Sequence, residues 1–343
     1  MRLEVVGVEG VPEVRADDDL AGLLVAACAA MPLDLVDGDV VVVSSKVVSK
    51  SLGLWADARD RTAAVVGQTV RVVAERMAGD RVTRIVQATS GPVMAAAGVD
   101  ASNTGGVDGL LLLPDDPDAE AARLRERLLV LTGLTRLGVV VSDTAGRPWR
   151  VGQTDFALGS AGVQVTDDLR GAADADGAAL SVTSRAVADE LAAAADLVKG
   201  KVSHVPAAVV RGSGWATEVV GAGARSLVRT GREDWFGLGR VEAVRSALGV
   251  PPGSPAALED GIASVAPEVV AERVARAVRV ALRGCPDAAV DVGPGHLRVQ
   301  ADSGYQLGVA VSRLRTALWG EGVEVPEPAE PTGLEAVLHL PTP

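Results

Sequence analysis

The sequence predicts a mixed α/β (α+β) fold, and three observations carry that prediction. Short β-branched runs, DVVVVS at 39–44 and LGVVVS at 137–142 foremost, have the length and composition of buried strands. Stretches with apolar residues at helical spacing lie between such runs along the whole chain, so strands and helices mix. After a Gly-, Ser- and Arg-rich connection at 213–234 the pattern changes to a short α+β segment. With 343 residues the chain is too long for one ordinary domain, so we expect a main domain over 1–230 and a small C-terminal α+β module over 231–343.

The elements follow in order. DLAGLLVAACAAM at 19–31 predicts a helix stopped by Pro32. The strand at 39–44 comes next, then a helical pattern over 60–77 and alternation over 82–87. GLLLLP at 109–114 is a strand ended by proline. DPDAEAARLRERLLVLTG opens with acids, as helix N-termini do, and closes on Gly133. The strand at 137–142 breaks into the loop DTAGRPWR. GVQV at 162–165 has strand character, 185–198 predicts an Ala-rich helix, and 204–212 a further strand. In the C-terminal module we expect helices at 236–249, 267–283 and 304–319, a loop at 251–261, a hairpin turning at Pro294-Gly295, and a last strand near 334–340.

Composition excludes several classes. The longest apolar runs fall well short of the ~20 residues of a membrane span, and no signal-like N-terminus is seen, so a cytoplasmic protein is expected. A net charge of −12 argues against a nucleic-acid partner. Cys28 and Cys285 belong to no motif. Only Lys46, Lys50, Lys199 and Lys201 are lysines among 33 basic residues. In a chain so biased to arginine, the retained lysines read either as places where a compact ammonium suits and a planar guanidinium does not, or as chance survivors on the surface.

Four stretches carry candidate chemistry. SSKVVSK at 44–50 delivers hydroxyls and ammoniums to a strand end, a pairing suited to phosphate oxygens. AAGVDASN at 96–103 places Asp100 and Asn103 in a turn; a metal role for Asp100 needs a second hard ligand. SDTAGRPWR at 142–150 supplies one. Asp143 and Thr144 are hard oxygens suited to Mg²⁺ or Mn²⁺, Arg147 and Arg150 suit an anionic substrate, and Trp149 is expected to fold over its own loop. LVKGKVSHVP at 197–206 sets Lys199 and Lys201 around Gly200, which fits both a phosphate approach and a helix C-cap. His204 is read as a strand-end residue. The glycine patterns of the usual nucleotide cradles are absent, and three scattered histidines do not make a metal site.

The runs GPVMAAAGVDASNTGG…LLLLPDDPD, SDTAGRPWRVGQTDFALGSAGV and KGKVSHVPAAVVRG, with DVVVVSSKVVSKSLG before them, resemble the coenzyme F(420)-0:L-glutamate ligase family across residues 1–230. The resemblance implies an intertwined homodimer of that family's fold. It implies a GTP-dependent reaction that joins L-glutamate to F(420)-0 and then adds γ-linked glutamates, with Mg²⁺ or Mn²⁺ and K⁺. It implies that Asp100, Asp143 and Thr144 hold metal, that Asp143 and Arg147 take part in catalysis, and that Asn103 touches the nucleotide. Ser45, Lys46 and Lys50 are then expected on GTP phosphates, with Val11, Pro12, Glu13 and Val14 nearby. The loop of Lys199, Gly200, Lys201, Val202 and Ser203, running on to Pro206, is expected along the nucleotide. Some archaeal relatives use a glutamine metal ligand at the position of Lys201; a protonated lysine cannot coordinate, so Lys201 is expected on phosphate. EDWFGLGRVEAVRSAL at 233–248 resembles the opening of the flavin-binding nitroreductase domain of fused relatives, but the segment is too short for one, and no FMN is expected. A metal-dependent phosphohydrolase and a non-catalytic nucleotide-binding regulator are the alternatives.

Overall fold

The computed structural model describes residues 2–326 and 331–341. The chain divides into two compact units, Met1–Val70 with Gln87–Thr230, and Arg71–Val86 with Gly231–Pro343.

The first unit is built on strands β1 (Glu4–Val8), β2 (Val40–Ser44), β3 (Gly138–Arg147), β4 (Arg150–Ala161) and β5 (Ala207–Arg211), in the order β1-β5-β2-β3-β4. β2 and β3 are parallel, with Ser44 opposite Ser142, and the other neighbours are antiparallel. Val40, Val42, Val140, Ala208 and Val210 share a core with Ala188, Leu191, Ala192 and Ala195 of helix α4 (Val187–Lys199). The residues between them, Val41, Val43, Val139 and Val141, are equally buried, so both faces of the sheet are covered. That two-sided burial is why these strands read as unbroken apolar runs.

Local signals start and stop the helices. α1 (Leu20–Ala30) is capped by Asp19, whose carboxylate accepts from the Gly22 N–H. α2 (Ser45–Ser51) begins at the last residue of β2, capped by Ser44. α3 (Pro117–Thr132) has Asp116 as cap, Pro117 in its first turn and left-handed Gly133 after its end. Among the described residues no helix is long and apolar enough to cross a membrane. Cys28 and Cys285 are buried and unbridged.

The structure departs from the sequence-based reading in several places. The helical pattern at 60–77 is a short helix, Arg61–Gly67, followed by the strand Thr69–Ala78. Val70, Val72 and Val73 belong to β-branched residues that favour a strand once neighbours pair with them. Residues 162–165 make only an isolated bridge, Val163 to Ala216. Finally, β3 does not stop at Ser142 but runs on to Arg147 and turns into β4, so the expected loop is the arm of a hairpin. Trp149 sits at its turn with φ 58° and 82% of its surface exposed, not folded over the loop.

In the second unit, helices α5 (Arg240–Ala247), α6 (Val270–Leu282) and α7 (Gly304–Gly320) accompany an antiparallel sheet of β6 (Ala288–Gly293), β7 (His296–Ala301) and β8 (Glu335–His339). Its core includes Leu297, Val299, Leu314, Leu318 and Leu338. The hairpin turns at Pro294-Gly295, as its sequence predicts, while the expected loop at 251–261 contains a short helix, Pro255–Asp260. Residues 71–86 join this unit through Glu75, which accepts from the Gly253 N–H, and Arg71, which bonds Asp234.

Candidate active site

Where the parallel pairing of β2 and β3 ends, at Ser44 and Ser142, the sheet opens onto a cavity of about 350 Å³, within the usual range for small-molecule sites. Its wall combines Val11–Val14, the start of α2, the Asn103–Gly105 loop, the hairpin residues Ser142, Asp143, Thr144 and Asp155, and the chain from Asp196 to Pro206. Four carboxylates, Glu13, Asp143, Asp155 and Asp196, and four ammoniums, Lys46, Lys50, Lys199 and Lys201, line it, so the wall's charges balance.

α2 organises one side. Ser45 donates to Asp143 Oδ1 at 3.2 Å, and the next residue, Lys46, bonds the Asp100 carboxylate and the Ser102 hydroxyl. Consecutive residues of one helix thereby hold two acids that lie far apart in sequence. Burial works against the charge of Asp100, but the hydrogen bonds and charge of Lys46, with Ser102, hold its carboxyl below the usual range. Asp143 goes the other way: burial pushes it up to about 6, and the charge of Asp155 adds to that. The Thr144 backbone, Lys46 and Ser45 pull down and do not win. One turn along, Lys50 bonds Glu13, whose side chain lies close over Gly105. Gly105 has φ +67° and faces that carboxylate where a Cβ would stand, so glycine is required twice over.

The hairpin and α4 organise the other side. Lys199 ends α4, and its ammonium bonds Ser142 Oγ at 2.6 Å and Asp155 Oδ2 at 2.7 Å. Ser142 donates to Asp155 Oδ2 at 2.8 Å, and Thr144 donates to Asp155 Oδ1 at 2.7 Å. Gly200 follows as the helix cap, and Asn103 reaches across to donate to the Lys201 carbonyl at 3.2 Å. Asp196, beside this cluster, is raised by burial and by Asp155, against the pull of Lys199 and Lys201.

The F420-0:gamma-glutamyl ligase family model matches residues 10–212, which contain the whole of this wall. The chain belongs to that family. A coenzyme F420:L-glutamate ligase of Haloarcula marismortui is 40% identical over 253 residues, covering 68% of this chain and 95% of that protein. One from Methanothermobacter thermautotrophicus is 37% identical, with 69% and 99% covered, and one from Halobacterium salinarum is 42% identical, with 61% and 87% covered.

In this ligase most of the residues singled out from the sequence meet at one cavity. Val11, Pro12, Glu13, Val14, Lys46, Lys50, Asn103, Asp143, Thr144, Lys199, Gly200 and Lys201 line it. Ser45 and Asp100 stand just behind, bonded to Asp143 and Lys46. Val202 and Ser203 are exposed and off the wall; Ser203 folds back to donate to the Lys199 carbonyl. Arg147 is exposed at the far end of the hairpin arm and does not line the cavity, because β3 continues past Thr144 and carries it away. His204 belongs to the wall with φ 56°, not to a strand. Sequence reasoning missed Asp155, Ser142 and Asp196. A single acid entering the apolar run FALGSA was the available signal for Asp155.

Proposed function

We propose that this ligase joins L-glutamate to coenzyme F(420)-0 and then adds further γ-linked glutamates, with GTP as the energy source. The observation that carries the reading is the tie of Asp143 and Asp100 to consecutive residues of α2 beside two lysines. It sets hard acidic oxygens next to ammoniums, as phosphoryl transfer requires.

Asp100, Asp143 and Thr144 fit a divalent cation. Asp143 is a half-buried carboxyl on the cavity wall, and burial outweighs its hydrogen-bond donors in raising it to about 6. The wall's charges balance without ligand, so a triphosphate and an anionic acceptor bring an excess of negative charge. Mg²⁺ or Mn²⁺ at these oxygens, with K⁺ as a further ion, would supply charge neutralisation and Lewis acidity.

In this reading the γ-phosphoryl passes to the acceptor's carboxylate, giving GDP and an acyl phosphate. The glutamate amine attacks the acyl carbon and inorganic phosphate leaves. Lys46 and Lys50 exchange their carboxylate partners for phosphate oxygens, and Lys201, which has no ion-pair partner among the described residues, meets the nucleotide directly. The reading includes a homodimer in the cytoplasm. Exposed Trp149 and Val151 on the hairpin support the dimer.

Purified protein with GTP, Mn²⁺, L-glutamate and F(420)-0 should yield glutamylated product by mass spectrometry, with phosphate release that depends on glutamate. Phosphate release without glutamate, and no new amide, would replace the ligase with a phosphohydrolase.

A further inference from the structure

Asp155 is a carboxylate on the cavity wall beside Thr144, and the chain's own donors already surround it. It lines the cavity but is only 4% exposed, and both of its oxygens are engaged. Oδ2 takes the Lys199 ammonium at 2.7 Å and the Ser142 hydroxyl at 2.8 Å, and Oδ1 takes the Thr144 hydroxyl at 2.7 Å. The hairpin register creates this cluster. Thr144 pairs directly with Asp155 across the strands, and Ser142 and Thr144 are two apart on one face.

A hydroxyl carries one proton and two lone pairs. Thr144 has given its proton to Asp155, so toward the cavity it offers lone pairs only. We propose that Asp155 is a positioning residue that makes Thr144 an oxygen donor to a divalent cation, and that Lys199 occupies Asp155 so that it does not compete for the ion. This rests on the metal-dependent ligase reading above. It adds a division of labour: Thr144 faces the ion, Asp155 fixes Thr144, and Lys199 fixes Asp155. An asparagine at 155 can turn its amide N–H to Thr144 and consume a lone pair where a carboxylate cannot.

The test is Mn²⁺ binding to the purified protein with the metal alone, read from the EPR signal of free Mn²⁺. Asp155→Asn should weaken affinity by about 10- to 100-fold, the usual effect of losing a ligand's supporting partner. Thr144→Val should weaken it similarly, the double variant should be no weaker than Thr144→Val alone, and Thr144→Ser should restore binding. A merely structural role for Asp155 gives additive losses and no dependence on the Thr144 hydroxyl. If Asp155→Asn fails to fold because Lys199 is left unpaired, Asp155→Asn with Lys199→Gln leaves no stranded charge and serves for the same cycle. Wild-type affinity in Asp155→Asn, or in Thr144→Val, or additivity in the double variant, overturns the inference and leaves the ligase standing. A wild-type protein that binds no Mn²⁺ overturns the metal reading itself.

Discussion

At the α2 end of the cavity, Lys46 and Lys50 pair with Asp100 and Glu13, whose side chains keep 37% and 49% of their surface open. At the hairpin end, Lys199 and Asp155 keep 5% each. The chemistry of the three pairs is the same, and access to water separates them. A pair with one wet partner is worth little and trades that partner easily. A pair buried on both sides loses several kcal/mol when either member goes, because the survivor is a stranded charge. One end of the site can therefore accept an arriving phosphate, while the other holds the frame still.

Four substitutions would break or sharpen this contrast. The largest effect is expected from Lys199→Met, which strands Asp155 and should cost about 3–5 kcal/mol in urea unfolding; a loss under about 1 kcal/mol would erase the distinction between the two ends.

Asp143→Asn comes next. It should reduce turnover by about 100-fold or more in the ligase assay, while the protein stays folded. It should also stabilise the metal-free protein. The folded carboxyl is raised from 3.8 to about 6, so below pH 3.8 it makes no difference; between the two values the unfolded chain ionises first, and above 6 the full cost is present. Removing the carboxyl should therefore gain on the order of 2–3 kcal/mol at pH 7.5 and nothing near pH 3.5, by thermal unfolding across pH. An equal gain at both ends of the range would show that charge is not the cause.

Lys50→Arg should lower kcat/KM for GTP by about tenfold despite the retained charge, because a planar fork replaces a compact ammonium at a crowded site. Unchanged kinetics would count against the reading of the retained lysines. Smallest is Glu13→Gln, which should change stability by less than about 1 kcal/mol and lose even that in 1 M salt. A large, salt-independent loss would move this pair into the same class as Lys199 and Asp155.

Much of this was legible in the residues themselves. DVVVVS and LGVVVS declare buried strands because both faces of the sheet are covered, and α3 carries its start and stop signals within its own stretch. The residues gathered on the cavity wall lie mostly in the quoted motifs, since strand ends and helix caps are local events. Asp155 was not legible because its importance lies in pairing. Between Val141 and Ser142 the hairpin register shifts, with Val141 opposite Gly159 but Ser142 opposite Ala157, so Leu158 is an extra residue. Without that bulge Phe156, not Asp155, would face Thr144. Nothing in RVGQTDFALGSA announces which partner each residue will meet. The strand at 69–78 was missed for a related reason: β-branched residues take the helical or extended form according to neighbours that pattern alone does not reveal.

The bulge at Leu158 gives this arm a phase as well as a length. Exchanging one side chain there leaves the register alone, whereas deleting Phe156 or Ala157, between Asp155 and the bulge, would turn Asp155 to the other face and swing it out of the cluster. Changes in chain length can therefore be absorbed at the turn beyond Arg147, and stretches closer to the sheet behave like a keyed shaft that tolerates wear but not a missing tooth.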